Sequence, residues 1–281
     1  MNAEQIKFYT ADNLEYSIPN RWELLTPDLF LFLAQKLRMY SVGMISMEEV
    51  KLLYVCKLLG IDKMTDDEAT ANLIILSEQI DFIFDSEGRI KSCFLAQLVP
   101  FLEVNDQKFQ AYKINTSFDT FTCTLTALQF IEANEILNSK TRQLPLLAAI
   151  LYTPLPYSSV KAHELAEDLA HLDAVVLNAV ALNFQSLVNY IFTKTHFSVL
   201  TAGEKKTSAE ITTGMEETLY NLSSDGMGDV ASVEQMPLIK FLTILRKKLI
   251  ESVRAMHDAK MNLVEISEKT GLPTTILKKM I

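Results

Sequence analysis

The spacing of apolar residues changes period early in the chain. Residues 6–18 hold two short alternating runs, IKFYT and LEYSI, on either side of Ala11-Asp12-Asn13. Alternation of this kind predicts a β-hairpin, because successive strand residues face opposite ways, and Pro19 ends its second strand. Two strands are too few to stand alone, so the hairpin must pack on helices. From Thr26 the period lengthens. Thr26-Pro27-Asp28 predicts a helix start, with Thr as N-cap, Pro at the first helical position and an acid in the first turn. That helix is expected to reach about residue 40, with Leu29, Phe30, Leu33 and Leu37 on one face. Ser46-Met47-Glu48-Glu49 reads as a capping box, and its helix should end at Gly60. Thr65-Asp66-Asp67-Glu68 opens a third helix, expected to run to about residue 84.

Residues 85–113 break the helical pattern. Ser86-Glu87-Gly88 is a turn, and residues 102–104 and 108–114 could pair around Asn105-Asp106. Helices resume at Thr116 or Ser117 and are expected over 117–138, 144–152, 160–170 and 174–195. Thr153-Pro154-Leu155-Pro156-Tyr157 forces an extended break, because each proline turns its predecessor away from the helix. Residues 201–214, TAGEKKTSAEITTG, read as a linker or surface loop. Beyond it come a short helix over 215–222, a Gly/Asp loop over 223–229 and a long helix over 234–257. Pro237 fits that helix only in its first turn, and two short helices follow. The expected fold is mostly α, a helical bundle with one or two small β-hairpins. Its expected parts are a helical domain over 1–200 with the N-terminal hairpin, a linker or loop over 201–214, and a C-terminal helical region over 215–281 with a helix-turn-helix-like end. The apolar run over 173–192 is interrupted by Asn178, Asn183, Gln185 and Asn189, so it reads as a buried bundle helix, and no membrane partner is expected.

Composition narrows the function classes. The 281 residues allow one large domain or two smaller ones, and 49% hydrophobic against 22% charged residues is globular composition. A net charge of −9 argues against broad binding to phosphate backbones. Cys56, Cys93 and Cys123 are odd in number and widely spaced, so reduced thiols are expected, not a disulfide framework. The opening MNAEQIKFYT lacks the basic and apolar regions of a signal peptide.

Candidate chemistry is sparse. His163, His171, His196 and His257 form no metal-binding spacing, and no Walker loop, GxGxxG or G-x-S-x-G occurs. Asp66/Asp67 and Glu216/Glu217 lie at helix starts, where they answer the helix dipole. No catalytic residue, metal or cofactor is therefore expected, and the chain reads as a non-enzyme. Trp22, between hairpin and first helix, is either a partner hot spot or a staple for the hairpin. Tyr152 and Tyr157 flank the stiff proline segment and are either interface anchors or caps on the core. Leu155, Phe197 and Met227 also fall in irregular segments.

The C-terminal sequence NLVEISEKTGLPTTILKKMI places Leu263 and Ile266 on one helix, then a turn at Gly271, then a helix opening at Pro273. This resembles a helix-turn-helix pair. Residues 240–281 hold nine Lys and Arg against four Asp and Glu, unlike the rest of the chain. Thr274, Thr275, Lys278 and Lys279 are the candidate nucleic-acid contacts. They include no Arg, Asn or Gln for bidentate base reading, so a helical hairpin docking on protein is the competing interpretation.

Two stretches are similar to known proteins. Residues 19–61 resemble the opening of tail proteins of phages and prophages, in which a short hairpin and a W-x-E-L-T-x-x-Q pattern lead into two helices. Here Trp22-Glu23-Leu24-Leu25-Thr26 carries an extra residue, and Asp28-Leu29-Phe30 follows it. Residues 118–200 resemble the middle of the same proteins, through LPLLAAILYTP and AVALNFQSLVNYIFTKTHFSVL. About half the chain is covered, by core patterning, so no functional residue carries over. The resemblance implies a tail-assembly-chaperone-like or related virion structural protein. Its partners would be other phage structural proteins, nucleic acid would not be among them, and a homo-oligomer is compatible. Its location would be the bacterial host cytoplasm or the virion. The alternative is a DNA-binding regulator using the C-terminal pair.

Overall fold

The computed structural model describes residues 4–9, 13–63, 66–117, 120–141, 143–202 and 216–281. Among them are twelve α-helices and three two-stranded antiparallel sheets, a mostly α fold with small hairpins. β1 (Gln5–Tyr9) pairs with β2 (Glu15–Pro19), setting Ile6 opposite Ile18 and Phe8 opposite Tyr16. Ala11 and Asp12 of the expected turn lie outside the described residues.

α1 (Pro27–Ser41) begins where Leu29 N donates to Thr26 Oγ1 at 3.3 Å, and it buries Leu29, Phe30, Leu33 and Leu37. α2 (Met47–Leu59) has the reciprocal capping box: Glu49 N donates to Ser46 Oγ at 3.1 Å, and Ser46 N donates to Glu49 Oε2 at 2.6 Å. Gly60 closes it with φ 68°, a left-handed conformation that a side chain would strain. α3 (Asp67–Glu78) is capped by Asp66, and Thr65 lies outside the described residues. The helix expected to reach residue 84 stops at Glu78. Asp81 N donates to Asn20 Oδ1 at 3.2 Å, Lys91 N donates to Ile83 O at 2.8 Å, and Phe84 bridges Ile90. Leaving the helix lets Ile80, Phe82, Ile83 and Phe84 all enter the core, which one helix face could not do. Tertiary burial here overrides the local period.

β3 (Phe101–Val104) and β4 (Gln107–Gln110) form the second hairpin. Asn105 and Asp106 turn it with φ 51° and 58°, the left-handed pair that a tight two-residue hairpin favours. The second strand ends at Gln110, short of the expected residue 114. β5 (Ile114–Asn115) pairs instead with β6 (Thr122–Cys123). The helix expected from Thr116 or Ser117 therefore begins only at Ala127, as α4 (Ala127–Asn138). A capping box sets that start: Gln129 N donates to Thr126 Oγ1 at 3.2 Å, and Thr126 N donates to Gln129 Oε1 at 3.1 Å. Gln129 is buried and its Nε2 also donates to Ile150 O at 3.0 Å, tying the cap to the next helix.

α5 (Leu144–Tyr152), α6 (Ser159–Leu169) and α7 (Ala174–Lys194) follow as expected. α7 is long and apolar enough, by length and composition, to cross a membrane; here it buries Leu177, Val180, Phe184, Leu187 and Ile191 in the core. Two of its polar interruptions, Asn183 and Asn189, serve the irregular segment before β3. Asn183 Oδ1 accepts from Leu98 N and Asn183 Nδ2 donates to Ala96 O, both at 2.7 Å, while Asn189 Nδ2 donates to Ser92 O at 2.6 Å. A chain without a ladder of its own needs such partners when buried.

α8 (Glu216–Ser224), α9 (Val230–Glu234) and α10 (Leu238–Asp258) come next. The single helix expected from residue 234 is interrupted, with Pro237 at the N-cap position of α10. Leu238 N donates to Leu125 O and Ala127 N to Met236 O, both at 2.8 Å, so the interruption joins α10 to the start of α4. α11 (Leu263–Thr270) and α12 (Thr274–Leu277) complete the order.

Two apolar cores result. The large one extends from Ile6 to Leu242, and the small one joins Val199, Val253, Ile266, Leu272, Leu277 and Met280. Leu219, Leu222, Val233, Phe241 and Leu242 belong to the large core, so α10 contributes to both cores. Residues 203–214 of the expected linker lie outside the described residues.

Candidate functional site

The sequence left Trp22, Tyr152 and Tyr157 as either partner anchors or parts of the core, and the fold buries all three. Trp22 opens a 3-10 turn (Trp22–Leu24) and is 4% exposed. Its ring stacks on Phe94 at 5.0 Å between centroids and meets Phe82 and Phe30 edge-on at 5.1 and 6.1 Å. Its Nε1 donates to Lys91 O at 2.8 Å. Trp22 is thus the staple that holds the hairpin entry and the 80–94 segment on α1.

Tyr152 and Tyr157 are buried as well. Tyr152 Oη donates to Val99 O, and Tyr157 Oη donates to Glu132 Oε2, whose other oxygen accepts from Ser159 Oγ. Tyr157 N donates to Gln235 Oε1 at 3.1 Å and Gln235 Nε2 donates to Tyr157 O at 2.9 Å. The proline segment, which contains a cis Leu155–Pro156 bond, is therefore locked between α4 and the α9–α10 joint. Pro154, Leu155 and Pro156 lie exposed between the buried Thr153 and Tyr157. Burial pushes both phenols up, with the Glu132 carboxylate adding to the effect at Tyr157. Of the other irregular apolar residues, Phe197 is buried and Met227 is exposed.

The C-terminal pair takes the expected shape. Asn262 Oδ1 accepts from Val264 N and Glu265 N, Asn262 N donates to Glu265 Oε2 at 2.9 Å, and Gly271 turns the chain with φ 74°. Leu272 is buried. Thr275, Lys278 and Lys279 are exposed and Thr274 is half-buried, but α12 has a single turn.

Two features were not singled out from the sequence. One is the far end of the first hairpin. Tyr9, Leu14 and Tyr16 are 66, 56 and 41% exposed, and Tyr16 stacks on Phe8 at 5.6 Å. Alternation puts Phe8 and Tyr16 on the face of Ile6 and Ile18, but it does not say how far that face outreaches the core. The other is a cavity beside α10, lined by His196, Arg246, Arg254 and Lys279.

Among the described residues no three His, Cys, Asp or Glu side chains come together as a metal site. Burial pushes the Cys56 thiol up and the Cys123 thiol to about 12, far from a reactive thiolate. No family model, curated protein or solved structure matches this chain.

Proposed function

We propose that the protein is a non-catalytic protein-binding component of a phage or prophage, a tail-assembly chaperone or related virion structural protein. The supporting observation is the first hairpin. Its far end carries exposed Tyr9, Leu14 and Tyr16, and among the described residues its sheet has two strands, so each strand presents an outer edge. Aromatic surface beside a free strand edge suits a partner that adds a strand. The phage setting rests on the resemblance of residues 19–61 and 118–200.

The experiment compares the wild type with the triple variant Tyr9→Ser, Leu14→Ser, Tyr16→Ser as bait in lysate from induced lysogens. Capture of phage structural proteins by the wild type, lost in a variant that melts at the same temperature, is the expected result. Failure of the wild type to capture any of them, or equal capture by the variant, removes the proposal.

The charge of the C-terminal region favours a second reading, a DNA-binding regulator. Residues 240–281 carry +5 by nine basic against four acidic residues, whereas the whole chain carries −9. Binding that weakens steeply with salt and with Lys278→Gln would favour it.

A further inference from the structure

We propose that the cavity between the 196–200 turn, α10 and the C-terminal turn binds a phosphate group, with Arg246, Arg254 and Lys279 as its cationic contacts and His196 at its edge. The cavity measures about 430 Å³, and among the described residues no carboxylate side chain lines it. That sets it apart from the neighbouring surface. The cavity beside Trp22 also holds basic groups, Arg21, Lys91 and Lys194, but there the Glu23 carboxylate lines the wall and pairs with Arg21.

Arg246 carries the argument. It is half-buried, its Nε is shut off from water without a hydrogen-bond partner, and among the described residues it forms no ion pair. A buried, unsatisfied donor on a charged group is costly, and it signals a missing acceptor. Arg254 is already placed: its Nε donates to Met280 O at 2.9 Å, which ties the guanidinium to the turn that carries Lys279. Lys279 is exposed and forms no ion pair among the described residues.

His196 reports the same imbalance. Partial burial first, and the Arg246 charge second, hold its imidazolium below the ordinary value. The other charged groups lining the cavity are Arg254 and Lys279, and among the described residues no carboxylate side chain in its lining offsets them. A phosphate suits this geometry because guanidinium groups bind its oxygens in pairs and an ammonium adds a point charge. The phosphate could belong to a small phosphomonoester or to a nucleic-acid backbone. This inference does not depend on the hairpin reading, and lysate capture and phosphate binding can fail separately.

The test uses the full chain and inorganic phosphate. His196 is followed by proton NMR through a pH titration, without and with phosphate. The expected result is saturable binding that raises the His196 pKa. Arg246→Gln should raise it without phosphate and weaken phosphate binding by about tenfold or more. Lys279→Gln, at an exposed position that does not endanger folding, should weaken binding in the same direction. A short DNA duplex then separates the sources. Competition with phosphate at His196 assigns a backbone, and phosphate binding indifferent to the duplex assigns a small phosphomonoester. A His196 titration that neither phosphate nor duplex moves overturns the proposal, as does phosphate binding unchanged in Lys279→Gln.

Discussion

The large core and the C-terminal unit differ in the kind of buried polar group left without a partner: a neutral phenol in the first, a charged guanidinium in the second. In the large core the polar atoms of the big aromatic side chains find partners: Trp22 on Lys91 O, Tyr40 on Gly88 O, Tyr54 on Pro19 O, Tyr152 on Val99 O and Tyr157 on Glu132. Tyr112, whose hydroxyl is buried without an acceptor, is the exception. Around the small core, Arg246 Nε is buried without a partner, and among the described residues no carboxylate side chain lines the adjacent cavity. A satisfied buried group needs no explanation beyond folding, whereas an unsatisfied donor on a charged group marks a place where an acceptor would be stabilised. By that criterion the residues with the strongest appearance of an interface, Trp22, Tyr152 and Tyr157, belong to the fold. The unremarked arginines of α10 are the ones that point outward to function.

Alkaline pH should separate the two regions most sharply. Tyr54, Tyr112, Tyr152, Tyr157 and Cys123 all have pKa values raised by burial, so the folded state holds their protons more tightly than the unfolded chain. Their contribution is complete below the ordinary values of 9 for the thiol and 10 for the phenols, and is lost as pH rises beyond them. Each group should remove about 1.4 kcal/mol of stability per pH unit in that range. Residues 243–281 contain no Tyr or Cys, so the C-terminal unit lacks this liability. The four buried phenols should ionise together, as tyrosinate absorbance appearing with loss of the large core. Ionisation of these phenols while the near-ultraviolet dichroism of the fold persists would show that burial does not protect them.

Trp22→Ala should come next in size. It removes an indole in contact with three rings and its bond to Lys91 O, a change that costs about 3–5 kcal/mol in packed cores. Chemical denaturation checks the figure. A loss below about 1 kcal/mol, in the range of surface substitutions, would return Trp22 to the surface as a partner contact.

What was legible in the sequence follows the same division between local and distant causes. The helix starts at Thr26 and Ser46, the stop at Gly60 and the turn at Gly271 depend on residues within a few positions, and they stand where the pattern puts them. The extension of the third helix to residue 84 and the early start of the fourth were misleading. Their outcomes depend on Asn20 holding Asp81 and on Gln129 reaching Ile150. The polar residues inside α7 could be recognised as marks of a bundle helix, but not matched to Leu98, Ala96 and Ser92, some ninety positions away. The burial of Tyr157 depends on Gln235, and the basic cavity brings His196 to α10 and Lys279. Neither arrangement has a spacing that a reader of the chain could find.

The smallest expected effect tests whether the C-terminal unit is separate enough for the comparison to hold. Asn262 caps α11 through two backbone donors, Val264 N and Glu265 N, and the buried residue of that helix, Ile266, belongs to the small core. Asn262→Ala should cost about 1 kcal/mol, the usual worth of such a cap. The loss should fall on the small core, because Ile266 on α11 packs there with Val253, Leu272 and Leu277. Hydrogen exchange should therefore speed up through residues 262–281 while amides of α1, α5 and α7 keep their protection. The phosphate response of His196 should weaken with it, since Lys279 and Met280 hold one wall of the cavity through the turn after α12. Equal loss of protection in α7 would mean that the two cores unfold as one. The contrast between the two units would then describe one cooperative structure with a local charge defect, and the reason for assigning it a ligand would rest on Arg246 alone.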